Sequence, residues 1–127
     1  MNIKFVTITV KSLAESIKFY ENVLNLKVVR KFAPVNGTNI AFLKGDESAM
    51  LELIEYSNKS TVDEIYNEPK VSIGFTVLDL NETIKELELK EVEIIRGPIK
   101  TPGGEKFIFI KDPNGVEIEL IEGFNIN

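Results

Sequence analysis

The chain has 127 residues, 43% of them hydrophobic, enough for one domain with a core of its own. A net charge of −5 and a pI near 4.9 argue against nucleic acid or an anionic membrane surface as partner. Cysteine and histidine are both absent, which removes disulfides, thiol and imidazole catalysis, and every thiolate or imidazole metal ligand.

Lys4 to Val10 places Val6, Ile8 and Val10 on one side and Phe5, Thr7 and Thr9 on the other, the period of a strand. Ser12-Leu-Ala-Glu15 reads as a capping box, the serine accepting from a free amide while the glutamate reaches back. Ala14, Ile17, Phe19, Tyr20, Val23 and Leu24 form a helical apolar stripe that closes near Asn25. Lys27 to Phe32, Ile40 to Lys44 and Ala49 to Glu55 read as strands. Turns fall at Asn36-Gly37 and Gly45-Asp46, where glycine and asparagine tolerate positive φ. The polar stretch from Ser57 to Pro69 holds a linker, residues 59–69, with room for a helical turn over Thr61 to Ile65.

The second half repeats this order. Val71 to Leu78 reads as a strand and Asp79-Leu-Asn-Glu82 as a second capping box, followed by Ile84, Leu87 and Val92 in helical spacing. Strands are expected at Ile94-Ile95, Glu105 to Lys111 and Val116 to Ile121, with a wide turn at Pro102-Gly-Gly104 and a tight one at Asp112-Pro-Asn-Gly115. No apolar run approaches the 18 or so residues of a membrane span and no secretory signal pattern is present, so a cytoplasmic protein is expected.

The two halves are copies. Shifted by 67 residues, Val6-Thr-Ile-Thr-Val10 lands on Ile73-Gly-Phe-Thr-Val77, and Leu13, Glu15, Ile17 and Lys18 land on Leu80, Glu82, Ile84 and Lys85. Gly37 lands on Gly104, Phe42 on Phe109, and Glu52-Leu-Ile-Glu55 on Glu119-Leu-Ile-Glu122. Each half is therefore a β-α-β-β-β unit, residues 1–58 and 70–127, and the fold class is α+β. A site built from both should show pseudo-twofold pairs of residues.

Two such units resemble the vicinal oxygen chelate superfamily, which includes glyoxalase I, extradiol dioxygenases, fosfomycin-modifying enzymes and the bleomycin-resistance proteins. The resemblance rests most specifically on Val10-Lys-Ser-Leu-Ala-Glu-Ser-Ile-Lys-Phe-Tyr20 with Val23-Leu24, and on Phe109-Ile-Lys-Asp-Pro-Asn-Gly115 leading into Ile118-Glu-Leu120. It implies two paired modules forming a half-open cup, commonly in a homodimer. In glyoxalase I-like members it also implies a divalent metal, held by a first-strand residue and a last-strand glutamate of each unit. Those positions fall on Phe5, Glu52, Ser72 and Glu119. The usual first-strand ligand is histidine, and here phenylalanine cannot coordinate while serine offers only a neutral hydroxyl. No tight metal or other cofactor is therefore expected, beyond a hard divalent cation held weakly by Glu52 and Glu119.

Strand alternation places Phe5, Thr7, Thr9, Met50, Glu52, Ile54, Ser72, Gly74, Thr76, Glu117, Glu119 and Ile121 on the cup-facing side, joined by Phe107 and Phe109. Carboxylates beside aromatic rings suit a small molecule with a flat apolar part and a cationic or hydrogen-bonding group. Two functions follow. One is a metal-free protein that sequesters a small-molecule ligand. The other is a divergent glyoxalase I-like lyase or isomerase with Glu119, or its counterpart Glu52, as general base.

Overall fold

The computed structural model describes residues 4–35, 37–57 and 71–124; the linker with its expected turn over Thr61 to Ile65, and Asn36, lie outside them. The chain divides into two compact units, Met1–Glu68 and Pro69–Asn127. Each is built in the same order.

In the first unit, β1 (Phe5–Thr9) leads into α1 (Leu13–Asn22), then β2 (Lys27–Val35), β3 (Thr38–Lys44) and β4 (Met50–Glu55). The sheet order is β1-β4-β3-β2, with β1 parallel to β4 and the other neighbours antiparallel. Ser12 caps α1 by accepting from the Glu15 amide at 3.2 Å, satisfying one of the helix's free donors. The helix ends at Asn22 with Val23 as its cap, and the chain turns on towards β2 through Asn25, whose φ of 59° suits asparagine better than most side chains. The buried helical positions are Leu13, Ser16 and Tyr20, while Ala14 of the expected stripe is exposed. That face meets Ile8, Ala41, Leu43, Leu51 and Leu53, which point from the strands to the helix side and are under a tenth exposed.

The second unit runs β5 (Ser72–Val77), α2 (Leu80–Leu89), β6 (Arg96–Lys100), β7 (Lys106–Lys111) and β8 (Glu117–Glu122), in sheet order β5-β8-β7-β6. Asp79 caps α2 through the Glu82 amide at 3.2 Å. The glutamate does not close the box here: its carboxylate meets Lys85 at 3.4 Å. Glu122 adds a second tie to this helix, accepting from the Leu80 amide at 2.8 Å. Leu80, Leu87, Ile108, Ile110, Val116, Ile118 and Leu120 form the core.

One strand is displaced from its expected place. Ile94 and Ile95 precede β6, which occupies Arg96–Lys100 instead. This strand is the sheet edge, carries Pro98 and bulges between Arg96 and Ile99. An edge tolerates a residue without an amide hydrogen, so neither the proline nor the broken alternation excludes pairing there. β2 also runs past Phe32 to Val35.

Candidate functional site

In each unit the helix covers one face of the sheet, and the candidate side chains share the other. Paired residues on neighbouring strands point to the same side, so the register defines who stands beside whom. In the first unit Phe5 pairs with Met50, Thr7 with Glu52 and Thr9 with Ile54. Glu52 pairs in turn with Phe42, Ile54 with Ile40, Phe42 with Arg30 and Ile40 with Phe32. A row Thr7, Glu52, Phe42, Arg30 therefore crosses the whole sheet.

Four interactions organise that row. The Thr7 hydroxyl donates to Glu52 Oε1 at 2.6 Å, the length of a hydroxyl–carboxylate bond. The Phe5 ring meets Phe42 edge to face at 5.5 Å between centroids, and Phe42 meets Phe32 at 6.0 Å. The Arg30 guanidinium lies over the Phe32 ring, 4.8 Å from its centre, a cation–π contact. The result is an aromatic face with one carboxylate already bonded to a hydroxyl.

In the second unit Ser72 pairs with Glu117, Gly74 with Glu119 and Thr76 with Ile121. Glu119 pairs with Phe109, Ile121 with Phe107, Phe109 with Arg96 and Phe107 with Ile99. The matching row is Gly74, Glu119, Phe109, Arg96. Phe107 and Phe109 meet edge to face at 5.8 Å, and the Arg96 guanidinium lies 4.3 Å over Phe109. Arg96 donates to Glu117. That hydrogen bond holds the Glu117 carboxyl below its ordinary range, against the opposing effect of burial, and raises the Arg96 guanidinium above its own. Glu119, one position along the same face, has no side-chain hydrogen-bond partner among the described residues.

Register thus puts Phe5, Thr7, Met50 and Glu52 on one face of the first sheet, and Ser72, Gly74, Phe107, Phe109 and Glu119 on one face of the second. Sequence reasoning missed Arg30, Phe32, Ile40 and Phe42 in the first sheet and Arg96 and Ile99 in the second. Phe42 was within reach, because the 67-residue offset already lands it on Phe109. The arginines were not: the offset lands Arg30 on Gly97, since β6 carries an extra residue at its bulge and Arg96 meets Phe109 one position early.

The profile of the Glyoxalase/Bleomycin resistance protein/Dioxygenase superfamily matches residues 2–120. The chain belongs to that superfamily. Among its relatives, the Bacillus subtilis (strain 168) protein YqjC is 32% identical over 123 residues, covering 91% of this chain and 87% of that one. The lactoylglutathione lyase of Haemophilus influenzae is 31% identical over 127 residues, covering 96% and 93%. The structure of the trypanothione-dependent glyoxalase I of Leishmania major superposes with a TM-score of 0.76 at 29% identity, over 96% of this chain and 86% of that one.

The donor set of this superfamily member does not fit the metal that glyoxalase I-like relatives are expected to hold. The chain offers no imidazole or thiolate, and its first-strand positions carry a ring packed edge to face on Phe42 and a neutral hydroxyl. Among the described residues no three acidic side chains gather as a metal-holding group. No helix there is long and apolar enough to cross a membrane.

Proposed function

We propose that this superfamily member binds a small organic molecule without a first-row metal, and sequesters it rather than transforming it. The observation that carries the reading is Phe5. Where a metal-dependent relative would present an imidazole, this chain presents a hydrocarbon ring, 48% exposed and packed edge-on against Phe42. An exposed ring on the face opposite the helix is costly to leave in water and suited to an apolar ligand. In the first unit Phe32 and Phe42 extend the same character and Glu52 supplies an acceptor for a donor on a ligand; in the second, Phe107, Phe109 and Glu119 repeat that combination on their own sheet. The reading also takes the protein to be a cytoplasmic homodimer: β1, β2, β5 and β6 are sheet edges, and edges are usually covered.

A second reading is favoured by the 31% identity to a lactoylglutathione lyase over nearly the whole chain. There Glu119 is the general base, taking a proton from the carbon beside a carbonyl and returning it to the neighbouring carbon. The oxyanion formed between these transfers needs a donor, and Arg96, the cation of the same row, is already spent on Glu117. That weakens the reading.

The test is a thermal-shift screen of chelator-treated protein against thiol hemithioacetals, glycopeptides and cationic aromatics, run beside a hemithioacetal turnover assay. A ligand that raises the unfolding midpoint saturably, with no turnover, supports sequestration. Turnover that disappears in Glu119→Gln overturns it in favour of the lyase.

A further inference from the structure

Gly74 has no structural reason to be glycine. Its φ lies outside the left-handed region, and a Cβ built on it would meet nothing within 4 Å. In a strand interior glycine only loses stability, through the extra freedom it must surrender. What the missing side chain leaves is space, and that space lies beside Glu119, its partner across β5 and β8.

The first unit shows what fills such a space. Thr7 holds the position equivalent to Gly74, and its hydroxyl donates to Glu52 at 2.6 Å. In the second unit the donor is gone and the carboxylate remains. The cation of that row is engaged elsewhere, since Arg96 donates to Glu117 and covers Phe109. Among the described residues nothing compensates Glu119, and a carboxylate at a half-buried position is better solvated by a donor than by a hydrocarbon wall.

We propose that Gly74 is a specificity-determining residue: it keeps open beside Glu119 the volume that Thr7 fills beside Glu52, so that a protonated primary amine of the ligand donates to Glu119 as Thr7 donates to Glu52. The inference rests on the small-molecule-binding reading and names its ligand class. The ligand carries a primary ammonium on an apolar or aromatic body, the body against Phe107. A quaternary ammonium has no N–H to donate, so it cannot make that hydrogen bond in the notch.

The probes are benzylamine, protonated at neutral pH, and benzyltrimethylammonium chloride, titrated into protein with ¹³C-labelled glutamate carboxylates and followed by NMR. Benzylamine is expected to shift the Glu119 carboxylate and the Gly74 amide saturably, and benzyltrimethylammonium to leave both unmoved. Gly74→Thr should weaken benzylamine binding at least about tenfold, or ~1.4 kcal/mol, while raising the unfolding midpoint. Gly74→Ala, adding one carbon, should weaken it less. A Glu119 resonance that benzylamine does not move overturns the proposal, as does unchanged affinity in both variants. If Glu119 stays silent while another ligand raises the unfolding midpoint in the screen, the notch fails and the binding reading survives. Hemithioacetal turnover lost in Glu119→Gln overturns the binding reading instead.

Discussion

Replacing Asp112 by alanine should cost about 3–5 kcal/mol of folding stability, a large share of the roughly 5–15 kcal/mol a domain commonly has. The residue opens the Asp112-Pro-Asn-Gly115 turn and is only 5% exposed. Its Oδ1 accepts from the Asn114 amide at 2.7 Å and the Val116 amide at 2.8 Å, while Oδ2 accepts from Asn114 Nδ2 at 3.1 Å. Asn114 and Val116 are 7% and 1% exposed, so water does not readily replace the lost acceptor. Each stranded buried donor costs about 1–3 kcal/mol, and two amides with one side-chain donor reach the stated sum after allowing for relaxation. Asp112→Asn keeps an acceptor for both amides but sets a donor against Asn114 Nδ2, for about 1–2 kcal/mol. Urea unfolding of the three proteins, with slopes compared to exclude a changed unfolded state, measures both differences. A loss below about 1 kcal/mol for the alanine variant, or equal losses for the two, would refute the reasoning.

Three further substitutions test the second unit. Gly74→Ala should raise stability by about 0.5–1 kcal/mol in the same assay, because the added carbon meets nothing. Gly115→Ala should lower it by about 1–2 kcal/mol, because its φ of 86° is hostile to a side chain. Arg96→Gln should return the Glu117 carboxyl towards its ordinary range, read directly from its ¹³C titration. Since Arg96 depresses that carboxyl in the folded state, the stabilisation is complete above the ordinary glutamate range near ~4.3 and disappears as pH falls through the lower folded value. The stability gap between parent and variant should therefore close in acid, and also narrow in high salt, because the pair is partly exposed. A gap that widens in acid contradicts the assignment.

Strand and helix positions were legible where side-chain period and burial agree. Ile8, Leu51, Leu53, Ile118 and Leu120 alternate with Thr7, Glu52, Ile54, Glu117 and Glu119, and the helix took the apolar set. Legibility failed at β6, where Gly97-Pro98 and the bulge interrupt alternation and the apolar Ile94-Ile95 drew the expected strand two residues early. The stripe of α1 was mistaken in part because Ala14 is apolar yet outward, while Ser16, polar by type, is buried. Among site residues, the carboxylate pair and the first-strand positions came from the family resemblance, and all four obey the 67-residue offset. Which carboxylate has a partner did not, because that depends on Thr7 facing Glu52 and Arg96 choosing Glu117 over Glu119.

The central claim is that this superfamily member works without a first-row metal because Phe5 and Ser72 stand where imidazoles are expected. Calorimetric titration with nickel and zinc, of the parent and of the Phe5→His/Ser72→His double variant, tests it most directly. The account predicts no stoichiometric site in the parent and at least about tenfold tighter binding in the variant, ~1.4 kcal/mol, from the restored nitrogen donors. Stoichiometric, tight nickel or zinc binding by the parent would contradict it, as would a folded double variant that binds neither metal better than the parent does.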